Sequence, residues 1–454
     1  MIEAVSTVFK HHVSFFRTGQ TRSLKFRKAQ LTVLRKMILE NEEQIYRALK
    51  IDLNKSQEET FLTEIALLLK EIELHLDHLT EWMMEKSVST PLALFPSRSK
   101  LQVEPMGTAC IIAPWNYPFQ LMINPLIGAI SAGCTAVLKP SPATPKTAEL
   151  IEKLITSYFD PCYITVVRGD VDANEALFSC PFDVFFFTGS SRVGKIVMQA
   201  ASKHLSKVIL ELGGKSPTII DKDTSIKIAA RRIAWGKLIN SGQTCIAPDF
   251  IWIHRSQKEE FIQAFESSVE AMYGKDPMNH PDYVNIINES AVDRLSTYLM
   301  SGNVRMGGQV DKANRKIAPT ILEDVNWDDP VMQSEIFGPI LPLIVFDDLE
   351  EVVQKLQMLG KPLAMYYFGP EREAVRLRNE TSSGAFCHND VLLHVANHDL
   401  PFGGVGNSGM GKYHGHASFL AFSHEKAVLQ SSSWIDFKIK YPPYRYFRLL
   451  KRLL

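Results

Sequence analysis

Between residues 23 and 86 the apolar positions recur at helical spacing, as in Leu31, Leu34, Ile38, Ile45 and Leu49, with charged residues between them. That period predicts a helical opening region. From 87 to 104 the chain changes character, to Pro, Ser and Thr followed by Lys100-Leu101-Gln102-Val103-Glu104. This strict alternation predicts an exposed strand serving as a linker or an interface. Short apolar runs at 108–113, 135–138, 164–167, 184–187 and 208–212 then alternate with helix-like segments. Such alternation predicts a parallel sheet covered by helices on both faces. After Gly214 the rhythm restarts, with strand candidates at 217–220, 250–253, 341–346 and 365–368, so the expected fold is α/β with two large domains.

The uncharged stretch 119–138 is about as long as a bilayer span, but Asn124, Pro125, Gly128 and Gly133 interrupt it and its flanks lack anchors. It reads as a buried helix followed by a buried strand. The basic, aromatic tail from Tyr441 to Leu454 is too short to span a membrane, and what it touches stays unassigned. A chain of 454 residues exceeds one ordinary core. Fifty basic and fifty acidic residues cancel, leaving no global field for nucleic acid or an anionic membrane, so the expected partner is a small molecule. Six cysteines without a C-x-x-C pair argue against a zinc cluster or a disulfide framework. With an N-terminus that mixes charges and histidines into its apolar positions, they point to a reducing, cytoplasmic setting.

Four places have the composition of a reactive site. The run Val184-Phe185-Phe186-Phe187-Thr188-Gly189-Ser190-Ser191-Arg192-Val193-Gly194 reads as a buried strand, a glycine turn and a Ser-capped helix start. Its first amides can hold a pyrophosphate, although Gly-x-x-x-x-Gly departs from the common Gly-x-Gly-x-x-Gly fingerprint, and a plain strand–helix turn fits as well. Cys245 follows a helical run in the polar loop Asn240-Ser241-Gly242-Gln243-Thr244. A nucleophilic thiol there needs a lowered pKa or a neighbouring base, whereas a structural one needs only apolar surroundings. Glu211 ends a strand at a sheet's carboxyl edge, as a general base on water or as a salt-bridged structural carboxylate. Asn116, between Pro114 and Pro118, offers a rigid amide to an oxyanion or simply closes a turn.

In their order along the chain, Trp115-Asn116, Phe187-Thr188-Gly189-Ser190, Glu211-Leu212-Gly213-Gly214, Gly242-Gln243-Thr244-Cys245, Glu335-Ile336-Phe337-Gly338-Pro339 and Pro401-Phe402-Gly403-Gly404 resemble the aldehyde dehydrogenase superfamily. The resemblance runs from about residue 20 to 430. The stretch from Phe402 to Gly411 and the Tyr441-Pro442-Pro443-Tyr444 tail are similar to its class 3 branch, which takes aromatic or medium- to long-chain aliphatic aldehydes.

The resemblance implies a Rossmann-like dinucleotide-binding domain (1–86 and 106–211), a catalytic domain (212–407), a bridging element (87–105 and 423–437) and a C-terminal tail (438–454). It implies a homodimer. It also implies that Cys245 attacks the aldehyde, Asn116 and the Cys245 amide hold the oxyanion, and Glu211 activates water against the thioester. Trp115, Lys139, Gly189, Ser190, Gly194, Glu335 and Phe337 are implied around NAD or NADP. Many relatives carry a glutamate three residues after the lysine, where this chain has Pro142, so weaker selection against NADP is expected. Alternatives are transfer of the acyl group to coenzyme A, against which Glu211 argues, and a non-catalytic binding protein on the same fold. His388, His394 and His398 fall in a loop beside the Pro401-Phe402-Gly403-Gly404 motif and are not expected to hold a metal.

Overall fold

The computed structural model describes residues 1–445 and 447–453. The helical opening predicted from residue 23 is present as Leu24–Glu40, Glu42–Leu53 and Ala66–Trp82, and a further helix, Ile2–Arg17, precedes it. A short helix, Gln57–Thr60, runs into one wide π turn, Phe61–Ile65.

The first large sheet has six strands in the spatial order Gly409–Met410, Lys207–Glu211, Val184–Thr188, Thr108–Ile112, Thr135–Lys139 and Ile164–Val166. All its pairings are parallel except that of Gly409–Met410 with Lys207–Glu211. Val184–Thr188 is buried throughout, as a parallel strand covered on both faces requires. The chain builds outward from Thr108–Ile112 in one direction, then returns to lay Val184–Thr188 on its other side. The strand order therefore reverses between these two, and in open α/β sheets ligands bind at the carboxyl ends on either side of such a switch.

The second sheet has seven strands, Asn303–Met306, Thr320–Glu323, Ile340–Phe346, Phe250–His254, Pro217–Ile220, Ala364–Phe368 and Ala385–His388. Only Asn303–Met306 runs antiparallel to its neighbour. A third, antiparallel sheet joins Lys86–Val88, Arg98–Pro105 and Ser423–Gln430. The last of these strands ends at Gln430. Residues 408–422, left without a place by the sequence, include the strand that returns to the first sheet beside Glu211.

The uncharged stretch folds as the buried helix Gln120–Ala132 and the buried strand Thr135–Lys139. Gly133, at φ 87°, ends the helix in the left-handed conformation, and the Arg27 guanidinium lies where a side chain would project. The start of this helix is capped by the Glu64 carboxylate, which accepts the N–H of Phe119 at 3.0 Å and of Gln120 at 3.3 Å. Among the described residues no helix is long and apolar enough to cross a membrane. Of the C-terminal tail, Tyr446 and Leu454 lie outside the described residues.

Candidate active site

At the switch point, the turn after Thr108–Ile112 carries Trp115 and Asn116, and the turn after Val184–Thr188 carries Gly189 and Ser190. Ser190 caps the helix Ser191–Ser202, its Oγ accepting the Val193 N–H at 3.4 Å. Gly194 lets this helix close on the next strand: a Cβ there would stand 2.7 Å from Leu212 Cδ2. The helix N-terminus thus sits at the sheet edge with its first amides available to an anion. Lys139 ends the neighbouring strand, 4% exposed, its pKa lowered by burial against the pull of Asp170.

Glu211 reaches the same edge from the adjoining strand. It is 2% exposed, and neither carboxylate oxygen has a hydrogen-bond partner. Burial raises its pKa well above the usual carboxylate value. The structure therefore excludes the salt-bridged alternative for this residue.

Cys245 is half-buried in a loop pinned on every side. Asn116 Nδ2 donates to the Gln243 carbonyl at 3.0 Å, and Asn240 Nδ2 donates to that oxygen at 3.1 Å and to the Asn116 carbonyl at 2.9 Å. Tyr117 Oη and Thr244 Oγ1 share a 2.6 Å hydrogen bond, and Tyr366 Oη donates to the Ile246 carbonyl at 2.5 Å. Asn116 is 3% exposed and has a second amide N–H to offer. Burial, then the negative charges of Glu335 and Glu211, raise the Cys245 pKa. The surroundings of Cys245 therefore favour the neutral thiol in the resting site.

Glu335 comes from the second sheet's side. Asp249 Oδ1 accepts the Ile336 N–H at 2.8 Å and Arg294 donates to the Ile336 carbonyl at 2.9 Å, which fixes the loop on both sides of the peptide. The Glu335 carboxylate lies over Gly213, where an added Cβ would be 2.1 Å from Oε2. Its Oε1 is buried without a partner, and burial, then Asp249, raise its pKa well above the usual value. Phe337, at φ 53°, sets its ring edge-on to Trp115, with centroids 5.5 Å apart. A capped helix start, a buried lysine and an orphaned carboxylate oxygen around one switch point are a set of groups that a dinucleotide would satisfy.

A cavity of about 630 Å³ opens onto Cys245 and Glu211. Its walls are mostly apolar, with Leu62, Leu121, Trp235, Ile239, Tyr273 and Phe402 among them. The sequence did not reveal it, because these side chains come from segments far apart in the chain. Lys237 was also missed: it is 1% exposed, its Nζ has no partner, and burial brings its pKa down to about 8.

The three histidines do not share one loop, since His388 ends the strand Ala385–His388 and His394 lies in the short turn Leu393–Ala396, and they go to separate partners: His388 to the Gly369 carbonyl at 2.8 Å, His394 to Cys387 Sγ at 3.1 Å, and His398 to Glu71 at 2.5 Å. Among the described residues no group of three His, Cys, Asp or Glu is placed to hold a metal.

A switch-point edge suited to a dinucleotide, next to an apolar cavity lined by a thiol and a buried carboxylate, fits a cofactor-dependent oxidoreductase. Comparison with known proteins names the family. The pattern of the aldehyde dehydrogenase family matches residues 3–428. A curated relative, the 4,4'-diaponeurosporen-aldehyde dehydrogenase of Staphylococcus aureus, is 46% identical over 95% of each chain. Aldehyde dehydrogenase family 3 member H1 of Arabidopsis thaliana is 43% identical over 97% of this chain and 92% of that one. A solved structure described as the substrate-bound state of Staphylococcus aureus AldH superposes with a TM-score of 0.97 at 45% identity, over 99% of both chains. The chain belongs to the aldehyde dehydrogenase family, and its activity is the NAD(P)-dependent oxidation of an aldehyde.

Proposed function

We propose that the chain oxidises medium- to long-chain aliphatic or aromatic aldehydes to carboxylic acids through a thioester on Cys245. The observation that carries this reading is one apolar cavity lined by both the Cys245 thiol and a buried, unpartnered Glu211. The thiol proton passes to solvent through the cavity as sulfur attacks the carbonyl carbon, which leaves Glu211 for the later step on water. The free N–H of Asn116 and the backbone N–H of Cys245 meet the oxyanion of the thiohemiacetal. NAD or NADP, when bound, would supply the hydride acceptor that oxidation of the thiohemiacetal to a thioester on Cys245 requires. Glu211 then takes a proton from the water that hydrolyses the thioester. The retained base favours water over coenzyme A as acyl acceptor.

Trp115, Lys139, Gly189, Ser190, Gly194, Glu335 and Phe337 would hold the cofactor. Residues 1–86 and 106–211 form the cofactor domain, joined by the returning strand Gly409–Met410, residues 212–407 the catalytic domain, and 87–105 with 423–437 the bridge. The strand Ser423–Gln430 leaves one edge of the bridge sheet unpaired, which supports a homodimer. Six free cysteines support a reducing, cytoplasmic setting, and zero net charge supports the absence of a nucleic-acid partner.

The test is absorbance of the reduced nicotinamide with purified protein, hexanal or benzaldehyde, and NAD or NADP, beside Cys245→Ala. Turnover by wild type alone supports the reading; equal turnover by the variant overturns the role of Cys245.

A further inference from the structure

The nucleophile loop begins with three consecutive residues in the left-handed region: Asn240 at φ 52°, Ser241 at 51° and Gly242 at 74°. Two of them carry side chains, so the turn must be held by its surroundings. Ser241 Oγ donates to the Val284 carbonyl at 2.5 Å, and Gln243 Nε2 donates to the carbonyls of Asn240 and Asn285 at 3.0 and 3.1 Å. A further hold comes from Glu59, whose Oε1 accepts the Asn240 N–H at 2.8 Å.

Glu59 is itself placed by a capped helix start, the Ser56 Oγ accepting its N–H at 3.2 Å. In a Ser-x-x-Glu start the glutamate side chain commonly folds back to the capping residue's own N–H. Here it crosses to Asn240, 181 residues away in sequence. From Asn240 the contact continues: its side-chain amide bonds the Asn116 carbonyl and the Gln243 carbonyl, and the Asn116 amide bonds the same Gln243 oxygen. Glu59 also lines the apolar cavity, with Leu62 and Thr63 of the π turn, and Thr63 Oγ1 donates to the Glu59 carbonyl at 2.7 Å.

We infer that Glu59 is a positioning residue for aldehyde oxidation, whose carboxylate sets the placement of the Asn116 amide against Cys245 from the wall of the substrate cavity. The inference rests on the roles proposed above for Cys245 and Asn116. Facing Glu59 are Lys55 from its own segment, Glu64 from the π turn, Asp282, and the phenols of Tyr117 and Tyr273; Cys245, Glu211 and His398 line the same cavity. Burial pushes the Glu59 carboxyl up to about 7, against Lys55 and the Asn240 N–H, which favour the charged form. The charged carboxylate is the stronger acceptor. The steps up to the thioester should therefore accelerate as pH rises through about 7.

The experiment is single-turnover formation of reduced nicotinamide with enzyme in excess over hexanal, from pH 6 to 9. Glu59→Ala should slow it about 10- to 100-fold, as a misplaced reacting geometry does, with the cofactor KM unchanged. Glu59→Gln keeps an oxygen acceptor without a charge to titrate, so it should run within about threefold of wild type at pH 8 and lose the rise through 7. A purely structural role would not move that pH profile. Wild-type rates in Glu59→Ala, or a rise through 7 that persists in Glu59→Gln, would overturn the inference. If Glu59→Ala fails to fold, the Glu59→Gln profile alone decides. Turnover by Cys245→Ala would instead remove the reading beneath it.

Discussion

Replacing Gly213 by alanine tests whether Glu335 holds the cofactor. Gly213 lies outside the left-handed φ region, so its backbone accepts a side chain. The new Cβ would fall 2.1 Å from Glu335 Oε2, 2.8 Å from its Cδ and 2.9 Å from Oε1. These atoms are the end of a flexible side chain, so the carboxylate swings aside while the fold stays. A hydrogen bond to a charged group contributes about 1.5–3 kcal/mol. At 1.4 kcal/mol per factor of ten, its loss raises the cofactor KM by about 10- to 140-fold. Initial rates across cofactor concentration read the change, with aldehyde KM and melting temperature as controls. Glu335→Ala should produce a similar loss, and adding Gly213→Ala to it should cost nothing more, because both remove one contact. An unchanged cofactor KM in Gly213→Ala, or losses that add in the double variant, would refute the assignment.

Glu211→Gln removes the base for hydrolysis and should lower steady-state turnover by about 10²- to 10⁴-fold. Reduced nicotinamide should still form in a first turnover, and intact mass should show an acyl adduct on the protein; an adduct-free variant with normal turnover would sink the role. Because burial raises the Glu211 pKa, its carboxylate ionises only as pH climbs above the usual carboxylate range, so wild-type hydrolysis should speed up with rising pH and Glu211→Gln should not. Pro142→Glu restores an acceptor for ribose hydroxyls and a charge that repels a 2′-phosphate, so the NAD-over-NADP ratio of kcat/KM should rise about tenfold or more. Equal ratios in variant and wild type would remove position 142 from cofactor choice. Lys55 and Glu64 pair at 2.5 Å with both side chains fully buried, and Glu64 also caps the helix at Phe119. Lys55→Met should destabilise the protein by about 3–5 kcal/mol in urea unfolding, and adding Glu64→Gln should recover part of it. A Lys55→Met midpoint equal to wild type would show that the pair is not needed.

Much of this fold is legible in local pattern. Phe185, Phe186 and Phe187 announce a strand covered on both faces, and Pro217–Ile220 has the predicted bounds. What escapes is whatever depends on distant segments meeting. Gly409–Met410 is too short to show a period, and its strand exists only because Glu211 and Leu210 offer a paired edge. Asn303–Met306 and Ala385–His388 are short strands that complete the two ends of the second sheet. Glu59 left one trace, the Ser56-x-x-Glu59 spacing, but nothing in that spacing shows that its side chain turns outward to Asn240. The cavity wall was invisible for the same reason, since Leu62, Trp235 and Phe402 are neighbours only after folding.

The electrostatics of the centre follow from the same crowding. Burial favours the neutral form of Cys245, Glu211 and Glu335 alike, and the two carboxylates add to the cost of charge on the thiol. A standing thiolate beside two carboxylates would place like charges in a low dielectric, so the resting site keeps its protons. Attack on a carbonyl changes the balance, because charge then moves from sulfur to an oxygen that Asn116 and a backbone N–H can hold. The nucleophile is therefore generated when an electrophile is present to receive it. Alkylation of free Cys245 by iodoacetamide should accordingly be slower at pH 7.5 than for an ordinary exposed thiol and should climb without a plateau through pH 9. A labelling rate that levels off below pH 8 would mean that the thiolate is preformed and that this account of its activation is wrong.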